Sequence, residues 1–92
     1  MSVPAPSIEV YTTRMCPYCV MAKQLLENKG VSYSEVYVDQ DQDLMSEMMQ
    51  RSKQRSVPQI FINNLHVGGY DDLSALDRKS GLDPLLGIGG AD

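Results

Sequence analysis

Residues 14–19 read Arg14-Met15-Cys16-Pro17-Tyr18-Cys19, and they lie between two segments of different periodicity. The segment from Ile8 to Thr12, which Thr13 separates from this stretch, has the period-two character of a β-strand. From Pro17 to Lys29 the apolar residues follow helical spacing, and Gly30 suits the helix end. The sequence therefore predicts that both cysteines lie at a strand-to-helix junction.

This position gives each cysteine a chemical role. Cys16 falls at or just before the helix N-cap, where unpaired N–H groups and the helix dipole favour a thiolate. Pro17 suits the first helical position, because its missing N–H is not needed there. Cys19 follows one turn later, so it can form a disulfide with Cys16 and is expected to be less exposed. We therefore expect Cys16 to attack and Cys19 to resolve.

The rest of the chain continues the alternation of strands and helices. The predicted order is β-α-β-α-β-β-α, an α/β fold with a four-stranded mixed sheet flanked by three α-helices. A right-handed crossover makes the first two strands parallel, and a tight Asn63-Asn64 turn makes the last two antiparallel. Gly81 is predicted at the C′ position of the last helix, with Leu82 folding back on Leu76. The remaining elements are strand 33–38, helix 41–53, strand 59–63, strand 65–67 and helix 71–79.

Length and composition exclude several classes of protein. Ninety-two residues predict a single domain, 1–92, with a core at about 7–86 and flexible ends at 1–6 and 87–92. No apolar stretch is long enough to cross a membrane, and the net charge of -4 argues against nucleic acid or an anionic membrane as the main partner. Two cysteines and one histidine are too few for a disulfide scaffold or a structural zinc site. The first residues have neither a basic region nor an apolar run, so we expect a cytoplasmic location.

Three motifs resemble one family at matching distances. Cys16-Pro17-Tyr18-Cys19 resembles the active site of the dithiol glutaredoxins, which have a thioredoxin-like fold. Ser56-Val57-Pro58 resembles the Thr-Val-Pro of that family, in which the proline is cis and faces the cysteines. The Val57 backbone there pairs with the cysteine of glutathione like an added strand. Gly68-Gly69-Tyr70-Asp71-Asp72 resembles the family's Gly-Gly-x-x-Asp, which holds the γ-glutamyl end. The resemblance extends over about residues 7–86.

The resemblance also implies how the remaining contacts to glutathione are made. The family usually has a lysine three residues before the first cysteine, but Thr13 occupies that position here. Arg14 is the first candidate to attract the glycine carboxylate, Arg55 is the second, and Arg51 and Lys53 are weaker candidates. Tyr18 is expected to be partly exposed beside the thiol. The predicted glutathione-binding residues are Arg14, Tyr18, Arg55, Val57, Pro58, Gly69, Asp71 and Asp72.

Structural roles compete with these assignments. Pro58 is also acceptable as a plain proline at the first residue of a strand. The Gly68-Gly69 pair could form a strand-ending turn, and Asp71 could be a helix N-cap. We expect Asp71 and Asp72 to serve both purposes. His66 is interpreted as structural, since a thiolate stabilised by a helix N-terminus needs no catalytic base.

The resemblance implies a glutathione-dependent thiol-disulfide oxidoreductase. Such an enzyme reduces glutathione-protein mixed disulfides and protein disulfides, those of ribonucleotide reductase among them, with glutathione as co-substrate. We expect a monomer without a metal or prosthetic group. One alternative is a dimer that carries a [2Fe-2S] cluster, which Pro17 disfavours by stiffening the loop. A second is a thioredoxin-type reductase, against which the absence of tryptophan and the Pro17-Tyr18 pair both count.

Overall fold

The computed structural model describes residues 7–87, which form eight elements. The ends predicted to be flexible, 1–6 and 87–92, lie outside the described residues, apart from Gly87, which ends the last helix. The first seven elements agree with the predicted ones to within one residue at each end. The elements are β1 (Ile8–Thr12), α1 (Pro17–Asn28), β2 (Ser34–Tyr37), α2 (Gln42–Ser52), β3 (Gln59–Ile62), β4 (Leu65–Gly68), α3 (Tyr70–Arg78) and α4 (Leu82–Leu86).

The four strands form one mixed sheet in the order β2-β1-β3-β4. β1 pairs with β2 in parallel, with Thr12 opposite Tyr37, and with β3 antiparallel, with Val10 opposite Ile60. β3 and β4 form the predicted antiparallel hairpin. Asn63 and Asn64 have φ values of 51° and 68°, which is the left-handed region that a tight hairpin turn requires. The predicted sheet is thus confirmed.

Apolar side chains cover both faces of the sheet. On one face, Val10 and Ile60 pack with α1, α3 and α4 in a core that includes Leu26 and Leu73. On the other face, Tyr11 and Phe61 pack with residues of α2 such as Met48. All four residues of β3 are buried, which agrees with the run of three apolar residues that follows Gln59. Within residues 7–87, no helix has the length and apolar character needed to span a membrane.

The C-terminal part of the fold differs from the prediction. The sequence predicted three helices, but the structure has α4 as a fourth, with Gly81 at its N-cap. Five residues that include a proline are too few to show a helical period, although proline is tolerated in the first turn. Gly81 was also predicted at the C′ position of α3, and this is wrong. Ser80 occupies that position with φ 63°, and the Gly81 N–H closes the Schellman motif on the Leu76 carbonyl.

Ser80→Gly is expected to stabilise the protein by about 0.5–1 kcal/mol, because glycine adopts the left-handed conformation without the steric cost of a Cβ. The measurement is the midpoint and slope of urea unfolding. Gly81→Ala is the matched control. A Cβ at Gly81 would lie 2.7 Å from Leu76 Cδ1, so this variant is expected to be less stable than wild type. A Ser80→Gly variant less stable than wild type would contradict the assignment of Ser80 to C′.

Candidate active site

Cys16 caps the N-terminus of α1. Its backbone is extended, with φ -144° and ψ 103°, and its Sγ accepts the backbone N–H of Cys19 at 3.2 Å. Pro17 occupies the first helical position, where it leaves no N–H unpaired. The Cys16 sulfur therefore lies where the free N–H groups and the dipole of α1 favour a negative charge. The predicted position at the helix N-cap is confirmed.

The two cysteines differ in their exposure to solvent. Cys16 is half-buried, whereas Cys19 is 0% exposed. Burial raises the pKa of the Cys19 thiol, and the hydrogen bond with Cys16 raises it further. The Thr12 hydroxyl and the Thr13 backbone act in the opposite direction by hydrogen bonding to it, with a smaller effect. Cys19 is therefore held as a neutral thiol below Cys16, and the predicted difference in exposure is confirmed.

The segment before β3 faces Cys16. The Cys16 thiol lies 3.8 Å from the carbonyl oxygen of Val57, to which it can donate. The Val57–Pro58 peptide bond is cis, as the resemblance implies, and Pro58 is buried. Two segments that are 41 residues apart in sequence thus meet at one sulfur atom.

A cleft of about 250 Å³ lies between the first turn of α1, the segment before β3 and the start of α3. Six of the eight predicted glutathione-binding residues line it, and three further residues complete the wall. Because Val57 both lines the cleft and contacts Cys16, the cleft leads to the sulfur. The lining residues are Tyr18, Gln54, Ser56, Val57, Pro58, Gly69, Tyr70, Asp71 and Asp72.

The glycines at the end of β4 and the acidic residues of α3 form one interlocked turn. The Gly69 N–H donates to Asp72 Oδ2 at 3.1 Å, so Asp72 caps α3. Asp71 was predicted as the alternative N-cap, but Gly69 occupies the N-cap and α3 begins at Tyr70. Gly68 has φ 119°, and a Cβ on it would lie 2.3 Å from Asp72 Oδ2. Glycine is therefore required at position 68 by both the backbone and the packing.

Comparison with known proteins decides the family. Residues 8–67 match the family model described as Glutaredoxin. The chain is 52% identical over 80 residues to Glutaredoxin 3 of Escherichia coli (strain K12), an alignment that covers 87% of this chain and 96% of that protein. This chain belongs to the glutaredoxin family. Glutaredoxins are thiol oxidoreductases, and Cys16 and Cys19 give this member the two sulfurs that such an enzyme uses.

Two solved glutaredoxins share the fold. The solution structure of glutaredoxin from Brucella melitensis aligns with a TM-score of 0.81 and 42% identity over 96% of both chains. The crystal structure of a buckwheat glutaredoxin-glutathione complex aligns with a TM-score of 0.82 and 30% identity, covering 89% of this chain and 77% of that one. The predicted thioredoxin-like fold is thereby confirmed.

The cations predicted to attract glutathione do not line the cleft. Arg14 is exposed, and its Nε lies 3.3 Å from Asp39 Oδ2 in a separate surface hollow. Arg55 is exposed between two lining residues, Gln54 and Ser56, so its backbone is at the rim of the cleft. Arg51 was a weaker candidate, and it packs on the far face of the sheet, with its guanidinium carbon 4.0 Å from the Phe61 ring centroid. Of these three arginines, Arg55 lies closest along the chain to the lining residues of this glutaredoxin.

A buried glutamine supports the cleft wall. Gln59 is 1% exposed, and its amide nitrogen donates to Gln54 Oε1 at 2.9 Å and to the Ser56 carbonyl oxygen at 3.0 Å. Its Oε1 therefore faces His66, whose Nε2–H donates to it at 2.7 Å. His66 also stacks on Phe61, which agrees with a structural role. The sequence analysis missed Gln54 and Gln59. The available signal was Gln59 itself, a polar residue at the start of a strand that is otherwise apolar.

The side chains that could bind a metal ion do not form a cluster in the described part of the chain. Between residues 7 and 87, no three histidine, cysteine or acidic side chains lie close enough together to hold one. His66, the single histidine of the sequence, is already bonded to Gln59.

Proposed function

We propose that this glutaredoxin uses glutathione to reduce glutathione-protein mixed disulfides and protein disulfides through Cys16 and Cys19. The observation that carries the proposal is the cleft that leads from the start of α3 to Val57 and the Cys16 sulfur. An extended tripeptide laid along the Val57 backbone would bring its own sulfur to Cys16. We also propose that residues 1–92 form a single glutaredoxin domain.

The chemistry of the cleft suits the two ends of glutathione. The γ-glutamyl end carries an ammonium and a carboxylate, and the start of α3 offers Asp71 and Asp72 for the first and backbone N–H groups for the second. Gly69 lets that end approach the backbone closely. At the other end, Gln54 has its Oε1 occupied by Gln59, so its amide N–H groups are left to donate to the glycine carboxylate.

The aromatic and basic side chains complete the proposed binding set. Tyr18 is 59% exposed, and its ring centroid lies 6.4 Å from that of Tyr70, so the two rings form one wall of the cleft. Val57 and Pro58 also line the cleft. Arg55 at the rim and Arg14 beside Asp39 stay in the proposal as residues that attract the anionic tripeptide from solution, an effect that salt should weaken.

In the proposed monothiol route, the Cys16 thiolate attacks the glutathione sulfur of a glutathionylated protein. A Cys16–glutathione disulfide forms, the protein–glutathione bond breaks, and the protein thiolate leaves and takes a proton from water. A second glutathione thiolate then attacks the glutathione sulfur bound to Cys16. Oxidised glutathione leaves, and the Cys16 thiolate is restored, stabilised by the Cys19 N–H and the α1 dipole.

In the proposed dithiol route, the Cys16 thiolate attacks a protein disulfide and releases one protein thiolate. Cys19 loses its proton and attacks Cys16, so that the Cys16–Cys19 disulfide forms and the second protein thiolate leaves. Two glutathione molecules then reduce this disulfide and are themselves oxidised. The hydrogen bond between the two cysteine side chains, which contributes to the raised pKa of Cys19, supports this step because it requires the sulfurs to be close together.

A coupled assay tests the use of glutathione. We expect the protein to reduce a mixed disulfide of glutathione and cysteine when glutathione, glutathione reductase and NADPH are supplied. Thioredoxin reductase with NADPH in place of the glutathione system is the control, and we expect it to support little turnover. Turnover with thioredoxin reductase alone would contradict the proposal and favour a thioredoxin-type reductase.

We also propose the setting in which the enzyme works. The proposed partners are glutathionylated and disulfide-containing proteins, including ribonucleotide reductase, rather than nucleic acid or membranes. A net charge of -4 supports this choice, because phosphate-rich partners repel such a surface. A monomer in the cytoplasm is the proposed form, and a thiol pair kept reduced by glutathione agrees with that compartment.

A further inference from the structure

One turn beyond Cys19, Lys23 of α1 forms an ion pair that lies outside the cleft. The Nζ of Lys23 lies 3.1 Å from Glu35 Oε1 on β2, and the Lys23 side chain is 17% exposed. The same ammonium lies 5.8 Å from the centroid of the Tyr37 ring, and the Tyr37 hydroxyl donates to Glu35. Lys23 is thus a largely enclosed cation between α1 and β2.

Several contacts connect this cation to Cys19. Residues four apart on a helix lie on the same side, which places Lys23 one turn below Cys19. Across the sheet, Tyr37 is the register partner of Thr12, a residue that lowers the pKa of Cys19. Cys19, Thr12, Tyr37 and Lys23 therefore occupy one continuous space between α1 and the sheet.

The charges in this space are coupled. Burial is the largest single effect on the pKa of Lys23 and lowers it, but the hydrogen bond and charge of Glu35, together with negative charge on Tyr37 and Cys19, raise the pKa overall. Such coupling is reciprocal: if a Cys19 thiolate favours the charged lysine, the charged lysine favours the Cys19 thiolate. Lys23 consequently stays protonated at the pH values at which the enzyme works.

We propose that Lys23 is a positioning residue for the resolving step, because its ammonium stabilises the thiolate that Cys19 must form before it attacks Cys16. The inference rests on the proposed dithiol route. Cys19 is 0% exposed, so water does not solvate its negative charge, and a nearby cation adds to the stabilisation that the hydrogen bonds from Thr12 and Thr13 supply. In the step itself, the Cys19 thiolate forms a bond to Cys16, the bond from Cys16 to glutathione breaks, and glutathione leaves as a thiolate.

Glu35 acts against Lys23 in this arrangement. Its carboxylate holds the ammonium in place, but its negative charge also reduces the positive potential at Cys19. Removing either partner breaks the same ion pair, yet the two removals change the charge near Cys19 in opposite directions. A purely structural ion pair would give both removals the same sign of effect.

Other titratable or charged groups lie on α1 and on the segments next to it. On α1 these are Cys16 and Lys23, and a negative charge on Cys16 opposes one on Cys19. On β2 they are Glu35 and Tyr37, and in the adjoining loops they are Arg14 and Asp39. From α3 they are Tyr70, Asp71 and Asp72. None of the variants below changes a group in this set other than Lys23 and Glu35.

The test is single-turnover release of glutathione from Cys16. Reduced protein is mixed with oxidised glutathione, and the second equivalent of glutathione, which Cys19 displaces, is followed by rapid quench from pH 5 to 10. Lys23→Met is expected to slow this release about three- to fivefold at pH 7 and to move the midpoint of its pH profile upward. Glu35→Gln is expected to speed it about two- to threefold and to move the midpoint downward.

Two further variants separate charge from packing. Lys23→Arg keeps the positive charge, so its rate of glutathione release is expected to stay within about twofold of wild type, even if Lys23→Met loses stability. Lys79→Met removes one positive charge from the exposed end of α3 and is expected to leave release unchanged. The inference would be overturned, and the proposed function left standing, by either of two results. In the first, Lys23→Met and Glu35→Gln have the release rate and pH midpoint of wild type. In the second, both variants shift these quantities in the same direction. If wild-type Cys16 forms no mixed disulfide with glutathione, the proposed function and the inference both fail.

Discussion

Cys16→Ser is expected to abolish both deglutathionylation and protein disulfide reduction, with a loss of at least about a thousandfold in each rate. The Cys16 sulfur lies 3.8 Å from the carbonyl oxygen of Val57, which lines the cleft, and a serine hydroxyl in its place is not ionised at neutral pH. His66, the one histidine, is bonded to Gln59 and does not serve as a base for such a hydroxyl. The measurement is turnover of a glutathionylated peptide and of a disulfide-containing protein in the coupled assay.

Cys19→Ser is the matched variant, and its expected result differs between the two substrates. Deglutathionylation should continue, because the monothiol route needs only Cys16 and a second glutathione. Protein disulfide reduction should fall to the background rate, because Cys19 is the sulfur that resolves the mixed disulfide. Loss of both activities in Cys19→Ser, together with survival of either in Cys16→Ser, would reverse the assignment of roles.

Gly68→Ala is expected to have the largest effect on stability, a loss of about 2–4 kcal/mol in the free energy of unfolding. An alanine would have to adopt φ 119°, and its Cβ would lie 2.3 Å from Asp72 Oδ2. Relief of that contact moves Asp72 away from the Gly69 N–H, which removes the cap of α3. Urea unfolding gives the loss directly, and a variant as stable as wild type would contradict this description of the turn.

Gly69→Ala is the control at the neighbouring glycine. Its φ is -87°, and an added Cβ would lie 3.5 Å from the Pro58 carbonyl oxygen, an ordinary contact. We expect its stability to stay within about 1 kcal/mol of wild type. Because Gly69 lines the cleft, we expect the KM of Gly69→Ala for glutathione to rise. For Gly68→Ala we expect a loss of folded protein instead. A Gly69→Ala variant with unchanged KM would remove this residue from the proposed binding set.

The helix caps show how far local rules extend. The position of Cys16 at the N-cap and of Pro17 behind it followed from the sequence, because these preferences depend on hydrogen bonds within one turn. The end of α3 did not follow. The sequence offers Gly81 as the obvious left-handed residue, but Ser80 adopts that conformation, and Gly81 follows where a Cβ would lie 2.7 Å from Leu76 Cδ1. The preference of glycine for the left-handed conformation therefore did not locate the end of this helix.

The binding cleft shows a different limit. Six of the predicted residues line it, since they belong to short motifs whose relative positions the fold brings together. The choice among arginines could not be made from the sequence. Arg14 is directed by Asp39, which is 25 residues away, and Arg51 by Glu9, which is 42 residues away. Gln54 was missed because its place in the wall depends on the buried Gln59.

By itself, the sequence determined the order of the first seven strands and helices, the cysteine at the helix N-terminus and the hairpin at Asn63-Asn64. Each of these depends on the period of apolar residues or on hydrogen bonds between near neighbours. Only the tertiary structure decided which polar side chains meet: Cys16 with Val57, Gln59 with His66, and Lys23 with Glu35. Such contacts join separate elements, and their direction depends on strand register and on the burial of competing partners, for which a linear sequence has no local signal.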